Sequence, residues 1–290
     1  MPTLLPRFTI EQPSTLGEAL EMLLAYGEDG CAYAGGTELL LAMKHAGLRY
    51  KHLVDLKTVP GLDNIEQSAA GGSLRIGALA THWSIERSPL VRSRLAVLAE
   101  LEAHVANPRV RATGTLGGNL CFAEPHSDPA TLLLCLDARL SAVGPVGERE
   151  IPMADLLVGP YETALGQGEL LQAVTVPFPA VGQRTVYRKF QVHERPMLGL
   201  ALALEFGDRQ ATVKKARVAV GSASPTPRRS PAAEQLLVGA TDEVEQRLAA
   251  AADALADEAD LLDDLEGSAT YKRNLIHVFL KRMYREVKSG

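Results

Sequence analysis

The sequence predicts an α+β chain in three parts, and three features of its texture carry that prediction. A strand–helix–strand pattern fills residues 1–57, hairpins interleaved with helices occupy 58–176, and long strands followed by helices make up 177–290. The first pattern favours a small parallel sheet, because a helix carries the chain back between parallel strands. Separate runs of strands and helices, as in the last part, favour antiparallel sheet with helices packed on it. At 290 residues and 46% hydrophobic, the chain can bury a core large enough to divide among such parts.

Thr15 and Glu18 form a T-x-x-E capping box, Leu16, Leu20, Leu23 and Leu24 follow at helical spacing, and Gly27 suits the residue just past a helix end. "CAYA" at 31–34 reads as a buried strand, "GGT" breaks it, "ELLLAMKHAG" reads as a helix ending at Gly47, and "HLVDL" is a second strand. "LDNIEQSAAGGSLRIGAL" reads as a hairpin turning on "AAGG". Thr81 caps a short helix carrying Trp83 and Ile85, and a longer helix is expected from Val91 to Val105, stopping before Pro108. After a loop at 112–127, Asp128 is expected as an N-cap with Pro129 at N1, so that "PATLLLCL" is helical. "RLSAVGPVGEREI" is another hairpin and "ELLQAVTVPF" a strand. "VYRKFQV", "LGLALALEF" and "ATVKKARVAVGSA" are long strands, "SPTPRRSP" a loop, and the remainder helical, with Tyr271, Leu275, Phe279 and Met283 four apart on the last helix.

Composition narrows the function classes. A net charge of −5 implies no basic face for nucleic acid. No apolar run approaches the roughly 20 residues that span a bilayer, so no membrane insertion is expected. The opening "MPTLLPRFTIEQPS" has no charged segment followed by a long apolar one, so no secretory signal is expected. Cys31, Cys121 and Cys135 are odd in number with apolar neighbours, as reduced thiols of a cytoplasmic protein would be. Iron–sulfur clusters usually take four cysteine thiolates, one more than the chain has. H-E-x-x-H, C-x-x-C and G-x-S-x-G are absent.

The distinctive features are two glycine turns, "AGGTE" at 34–38 and "TLGGN" at 115–119. Neither fits G-x-G-x-x-G or the P-loop pattern. Glycine pairs let backbone N–H groups converge on an anion, and a helix starting past Gly36 would add its own. Thr37 and Asn119 could bond a phosphate oxygen or a neighbouring carbonyl. Two such turns in separate parts suit a diphosphate held in a cleft, and they equally suit ordinary tight turns. Asp128 reads as a helix cap, or as a carboxylate accepting from a ribose or a flavin, and the two roles are compatible. His126 and His193 read as surface-loop residues or proton carriers, and the acidic run from Asp253 to Glu266 as a solvated helix face or a metal site. With no recognisable nucleophile–base pair, a bound cofactor is the expected source of chemistry.

Together, "AGGTELL" and "ATGTLGGNLCFAEPHSDPA" resemble the flavin-binding medium subunit of molybdenum hydroxylases, a family that includes bacterial carbon monoxide dehydrogenase and the flavin segment of xanthine dehydrogenase. "KFQVHERPMLGLALAL" and "GSATYKRNLIHVFLKR" resemble later segments of the family, so the likeness covers nearly the whole chain. It implies an FAD-binding fold of the para-cresol methylhydroxylase/vanillyl-alcohol oxidase type, two α/β subdomains followed by a C-terminal domain of antiparallel sheet and helices. By position it places the FAD diphosphate on Ala34, Gly35, Gly36, Thr37 and Glu38, and on Thr115, Leu116, Gly117, Gly118 and Asn119. It makes Asp128 a cofactor contact and brings the strand of Tyr187 and Lys189 towards the isoalloxazine. One branch, the 4-hydroxybenzoyl-CoA reductases, adds a cysteine-rich insert for a four-iron cluster; this chain lacks it.

The resemblance implies an electron-transfer subunit of a cytoplasmic heterotrimer. Molybdenum cofactor and [2Fe–2S] clusters would reside only on large and small partner subunits, and non-covalent FAD here would serve an external acceptor. A stand-alone FAD dehydrogenase or oxidase of the same fold, and a nucleotide-binding module without redox activity, are the rival readings.

Overall fold

The computed structural model describes residues 4–45 and 47–289. The first part contains β1 (Thr9–Glu11), α1 (Leu16–Tyr26), β2 (Gly30–Tyr33), α2 (Leu39–His45) and β3 (His52–Asp55). Its sheet has the order β1-β3-β2 with both pairings parallel. Thr15 caps α1 by accepting from the Glu18 amide at 3.2 Å, and Gly27 ends the helix at φ 52°. The capping box is displaced by one residue: the Glu18 carboxylate accepts from the amide and hydroxyl of Ser14, at 2.7 and 2.9 Å. Gly47 follows α2 in the left-handed region at φ 81°, and Ala46, within the expected helix, lies outside the described residues.

The second part begins with the predicted hairpin, β4 (Ile65–Gln67) and β5 (Ser73–Gly77). Then come α3 (His82–Arg87), α4 (Pro89–Arg94), α5 (Ala96–Glu102), α6 (Pro108–Thr113), α7 (Leu116–Phe122) and α8 (Asp128–Cys135). It closes with β6 (Arg139–Gly144), β7 (Gly147–Pro152), α9 (Met153–Leu156), the small pair β8 (Leu157–Gly159) and β9 (Glu162–Thr163), and β10 (Leu170–Pro177). The antiparallel order is β4-β5-β10-β6-β7.

Three expectations for this part are corrected. The helix expected from Val91 to Val105 is two, because Leu95 adopts φ −140°, ψ 54° and turns its side chain into the core. The apolar spacing runs on through this break, so the pattern conceals it. The expected loop around "TLGGN" is the cap and first turn of α7: Thr115 is the N-cap and Gly117 and Gly118 are helical. Ser127, and not Asp128, caps α8, accepting from the Ala130 amide at 3.3 Å; Pro129 therefore occupies the second helical position.

The third part has β11 (Gln183–Gln191), β12 (Pro196–Phe206), β13 (Thr212–Gly221), β14 (Arg228–Arg229), α10 (Pro231–Leu236), β15 (Gly239–Ala240), α11 (Thr241–Glu258) and α12 (Ala269–Ser289). β11 to β14 pair in order, antiparallel, and β15 joins β13. The short strand β14 interrupts the loop expected at 224–231. Leu275, Ile276, Leu280 and Met283 of α12 are buried against this sheet, while Tyr271 is exposed.

The parts share their interiors. Leu62, Leu79 and Leu170 complete the core around Ala19 and Val54 of the first part. Tyr187, Ala201, Ala203 and Ala219 of the third enter the core around α5 and α8. Among the described residues, no helix is long and apolar enough to cross a membrane.

Candidate functional site

The two glycine turns touch. A Cβ on Gly35 would lie 2.1 Å from the carbonyl oxygen of Thr113 and 2.9 Å from the Cα of Gly114. A Cβ on Gly118 would meet that of Ala34 at 3.9 Å. Gly35 is thus required by close approach of backbone from the second part, and Gly36 by its φ of 69°. Gly117 is required by β5's neighbour: a Cβ there would sit 2.6 Å from the Ala78 Cβ. Gly118, by contrast, is exposed and helical, so no left-handed backbone strain applies to it.

The turns differ in what their amides do. In the second, the Leu116 and Gly117 amides donate to the carbonyls of Ala80 (3.0 Å) and Ala78 (2.8 Å), and the Gly118 amide donates to Thr115 Oγ1 (3.0 Å). Leu116 is buried in the core. Among the described residues, the amides of Gly35, Gly36, Thr37 and Glu38 have no acceptor. Unpaired amides converging at a turn are an anion seat, so the first turn offers donors and the second a neutral, shape-matched wall. Lys57 braces the first turn from behind, donating to the Ala34 carbonyl at 2.9 Å and pairing with Asp55 at 2.7 Å.

Asn119 leads from the second turn to the acid. Its Oδ1 accepts from Ser127 Oγ at 2.5 Å, and Ser127 caps the helix on which Asp128 stands. Because Ser127 caps, the Asp128 carboxylate is free for other partners. Tyr187 donates its hydroxyl to one oxygen at 2.5 Å, and Lys189 donates Nζ to the other at 2.6 Å and to the His104 carbonyl at 2.8 Å. Alternate residues of β11 share a face, so both side chains reach one carboxylate. Burial, followed by the Asp128 charge, pushes the Tyr187 phenol well above its ordinary value. A cleft of about 310 Å³ opens beside this triad, walled by Val97 and Leu101 of α5, with Glu100, His104 and Arg188 at its edge.

A second polar cluster, which no local sequence pattern records, joins all three parts. Arg195, in the β11–β12 turn, pairs with Glu124 just beyond α7, and Glu124 also bonds His126 Nδ1 at 2.8 Å. Burial raises the Glu38 carboxyl, with Arg195 opposing it. Burial works against charge on Glu124 too, yet His126 and Arg195 hold its carboxyl below the usual range. His126 is therefore a hydrogen-bond partner of Glu124, and His193 lies exposed in the same turn as Arg195. The run from Asp253 to Glu266 is partly engaged by Arg273, His277 and Lys272. Among the described residues, no three His, Cys, Asp or Glu side chains cluster as metal ligands.

Residues 6–179 match the family described as the FAD binding domain in molybdopterin dehydrogenase. Residues 186–287 match the CO dehydrogenase flavoprotein C-terminal domain. The chain belongs to the FAD-binding medium subunits of molybdenum hydroxylases. It is 32% identical over 279 residues to the carbon monoxide dehydrogenase medium chain of Hydrogenophaga pseudoflava, covering 96% of each chain. It is equally identical, 32% over 279 residues, to the nicotine 6-hydroxylase medium subunit of Paenarthrobacter nicotinovorans, again with 96% of each covered. A structure of reconstituted CO dehydrogenase from Oligotropha carboxidovorans superposes with a TM-score of 0.93 at 28% identity, covering 99% of each chain. As a member of this family the chain is an oxidoreductase subunit with an FAD-binding fold. Its site fits that cofactor: four unpaired amides for a diphosphate, a second turn that only glycine allows so close, and a cleft beside a buried, hydrogen-bonded carboxylate.

Proposed function

We propose that this chain is the electron-transfer subunit of a cytoplasmic heterotrimer, receiving electrons from a small [2Fe–2S] subunit and delivering them to an external acceptor. Substrate is oxidised at molybdenum on a large subunit. The observation that carries the reading is that the two glycine turns touch and that Asn119 of the second is tied through Ser127 to the Asp128 triad, with residues drawn from all three parts, in a chain matched over residues 6–179 and 186–287 by the medium-subunit family. The parts correspond to FAD-binding subdomains at 1–57 and 58–176 and a C-terminal domain at 177–290.

In this reading the amides of Gly35 to Glu38 bind the FAD diphosphate, with Thr37 beside them. Thr115 to Asn119 form the opposing wall, with Gly118 exposed on it. Asp128, fixed on both oxygens by Tyr187 and Lys189, orients the ring system and carries a charge that Lys189 balances. The α5 wall excludes water on its apolar side. When bound, FAD supplies a store for two electrons that arrive singly and leave together or singly. The chain itself contributes binding, orientation and electrostatics.

The test is purification of the chain followed by absorbance and chromatography of any released flavin. Acid or heat releases FAD, not FMN, because no covalent link holds it. A protein that stays colourless after incubation with FAD overturns the reading.

A further inference from the structure

Lys189 of β11, Gly199 of β12 and Gly221 of β13 are register partners, one row across three strands. Partners in a row share a face of the sheet. On that face Lys189 carries the side chain that reaches Asp128, and the next two positions carry none. Neither glycine has a positive φ, so the backbone there suits any residue. Glycine also weakens a strand interior, and it marks places where another group comes close. What these two positions require is space.

The groups that fill the space belong to the site. A Cβ on Gly199 would lie 2.4 Å from the Tyr187 hydroxyl oxygen, 3.2 Å from its Cζ and 3.5 Å from its Cε2. That hydroxyl is the one that donates to Asp128. A Cβ on Gly221 would lie 1.9 Å from Thr131 Oγ1 and 3.1 Å from Thr131 Cβ. Thr131 is fully buried and stands three residues beyond Asp128, so the two lie on one side of α8. At the far end of the helix, Cys135 Sγ meets the Arg217 carbonyl at 3.5 Å. Arg217 is the partner of Ala203, which shares the face of Gly199 and lies in the core with Tyr187. The helix therefore runs along β13, with glycine beneath its first turn and a methyl group beside its last.

We infer that Gly199 and Gly221 are positioning residues for Asp128, hollowing the sheet so that α8 and the Tyr187 ring settle to the depth at which phenol and ammonium both reach the carboxylate. The inference rests on the FAD reading, in which that carboxylate contacts the cofactor. A methyl group at 199 pushes the phenol off the carboxylate. One at 221 pushes Thr131 and lifts the turn that carries Asp128. Either way the two donors no longer hold both oxygens at once.

The experiment is FAD titration of the apoprotein, followed by flavin fluorescence, with denaturant melts of the same samples. Gly199→Ala lowers FAD affinity about three- to tenfold, the size of one lost hydrogen bond. Tyr187→Phe removes the oxygen that the new methyl group meets. In that background Gly199→Ala lowers affinity by less than about twofold more, the mark of residues acting through one contact. Ala203→Val overfills the same face away from Asp128; it melts lower and keeps FAD affinity within about twofold of wild type. Should Gly199→Ala fail to fold, Gly221→Ala takes its place, and adding Thr131→Ala restores its affinity. Losses from Gly199→Ala and Tyr187→Phe that simply multiply overturn the inference, as does a folded glycine variant that binds FAD like wild type. So does an Ala203→Val variant that loses as much affinity as the glycine variants, which is what general loosening would do, or a Thr131→Ala change that rescues nothing. Wild-type protein that binds no FAD fails the FAD reading itself, and the inference falls with it.

Discussion

Gly35 shows how a motif residue can be fixed by the protein's own backbone. A methyl group at this position collides with the Thr113 carbonyl at 2.1 Å, where neither side is a flexible side chain. Gly35→Ala is expected to cost about 2–3 kcal/mol, the upper range for overpacking. The control is Gly17→Ala in α1, where nothing lies closer than 4.0 Å and the change favours the helix by about 0.5–1 kcal/mol. Denaturant melts of both variants check the contrast; equal stability would show that the turns do not touch. Tyr187 supplies a pH test. Its phenol is raised in the folded chain, so the unfolded chain ionises first. The stability it contributes is complete below the unfolded value of about 10 and is lost above it. In a difference titration of wild type against Tyr187→Phe, its phenolate is expected only with unfolding. That Tyr187 and Lys189 share a face was legible from strand alternation. Their partner Asp128 was not, because it stands 59 and 61 residues away and no local pattern links them.

At the scale of elements, capping decided most of what the sequence revealed and some of what it hid. Thr15 and Thr81 each precede a helix and accept from the third amide beyond, as expected, and Ser88, which was not read as a cap, does the same for α4. At α8 two cap-competent residues stand side by side, Ser127 and Asp128, and tertiary structure chooses between them. The aspartate is drawn away by a phenol and an ammonium, and the serine is left to cap. Ser127→Ala removes the cap and the bond to Asn119 together, and is expected to destabilise by about 1–2 kcal/mol. The readout that separates these effects is FAD affinity, which falls only if Asn119 and Asp128 shift with the helix end. Ser127→Asp restores a cap but adds a carboxylate beside Asn119 Oδ1, so stability returns without full affinity. The strand β1 was missed because three residues, two of them exposed, carry no alternation long enough to count. The break at Leu95 was missed because burial, and not propensity, causes it.

For the whole molecule the expectation is partnership. Expressed with neighbouring small and large subunits, the chain is expected to co-purify with both, and substrate of the complex is expected to bleach the visible flavin band. Omitting the small subunit should abolish bleaching while leaving FAD bound. Turnover of an organic substrate by the isolated chain at about 1 s⁻¹ or faster, a typical enzyme rate, would favour the stand-alone flavoenzyme instead. The three-part texture was legible in the sequence, but not the sharing of interiors between parts, since no local pattern records that Leu170 joins the core around Ala19.

That shared core has a consequence for how the protein is made. The central strand of the first sheet, β3, is the last of its three strands to leave the ribosome, and Leu170 is the last buried residue to join the core it covers. At translation speeds of about 5–20 residues per second, Ala19 and Val54 wait roughly 6 to 30 seconds for that side chain. Nascent chains arrested before residue 170 should therefore be open to protease within the first part and bound by trigger-type chaperones, and those arrested well beyond it should resist both.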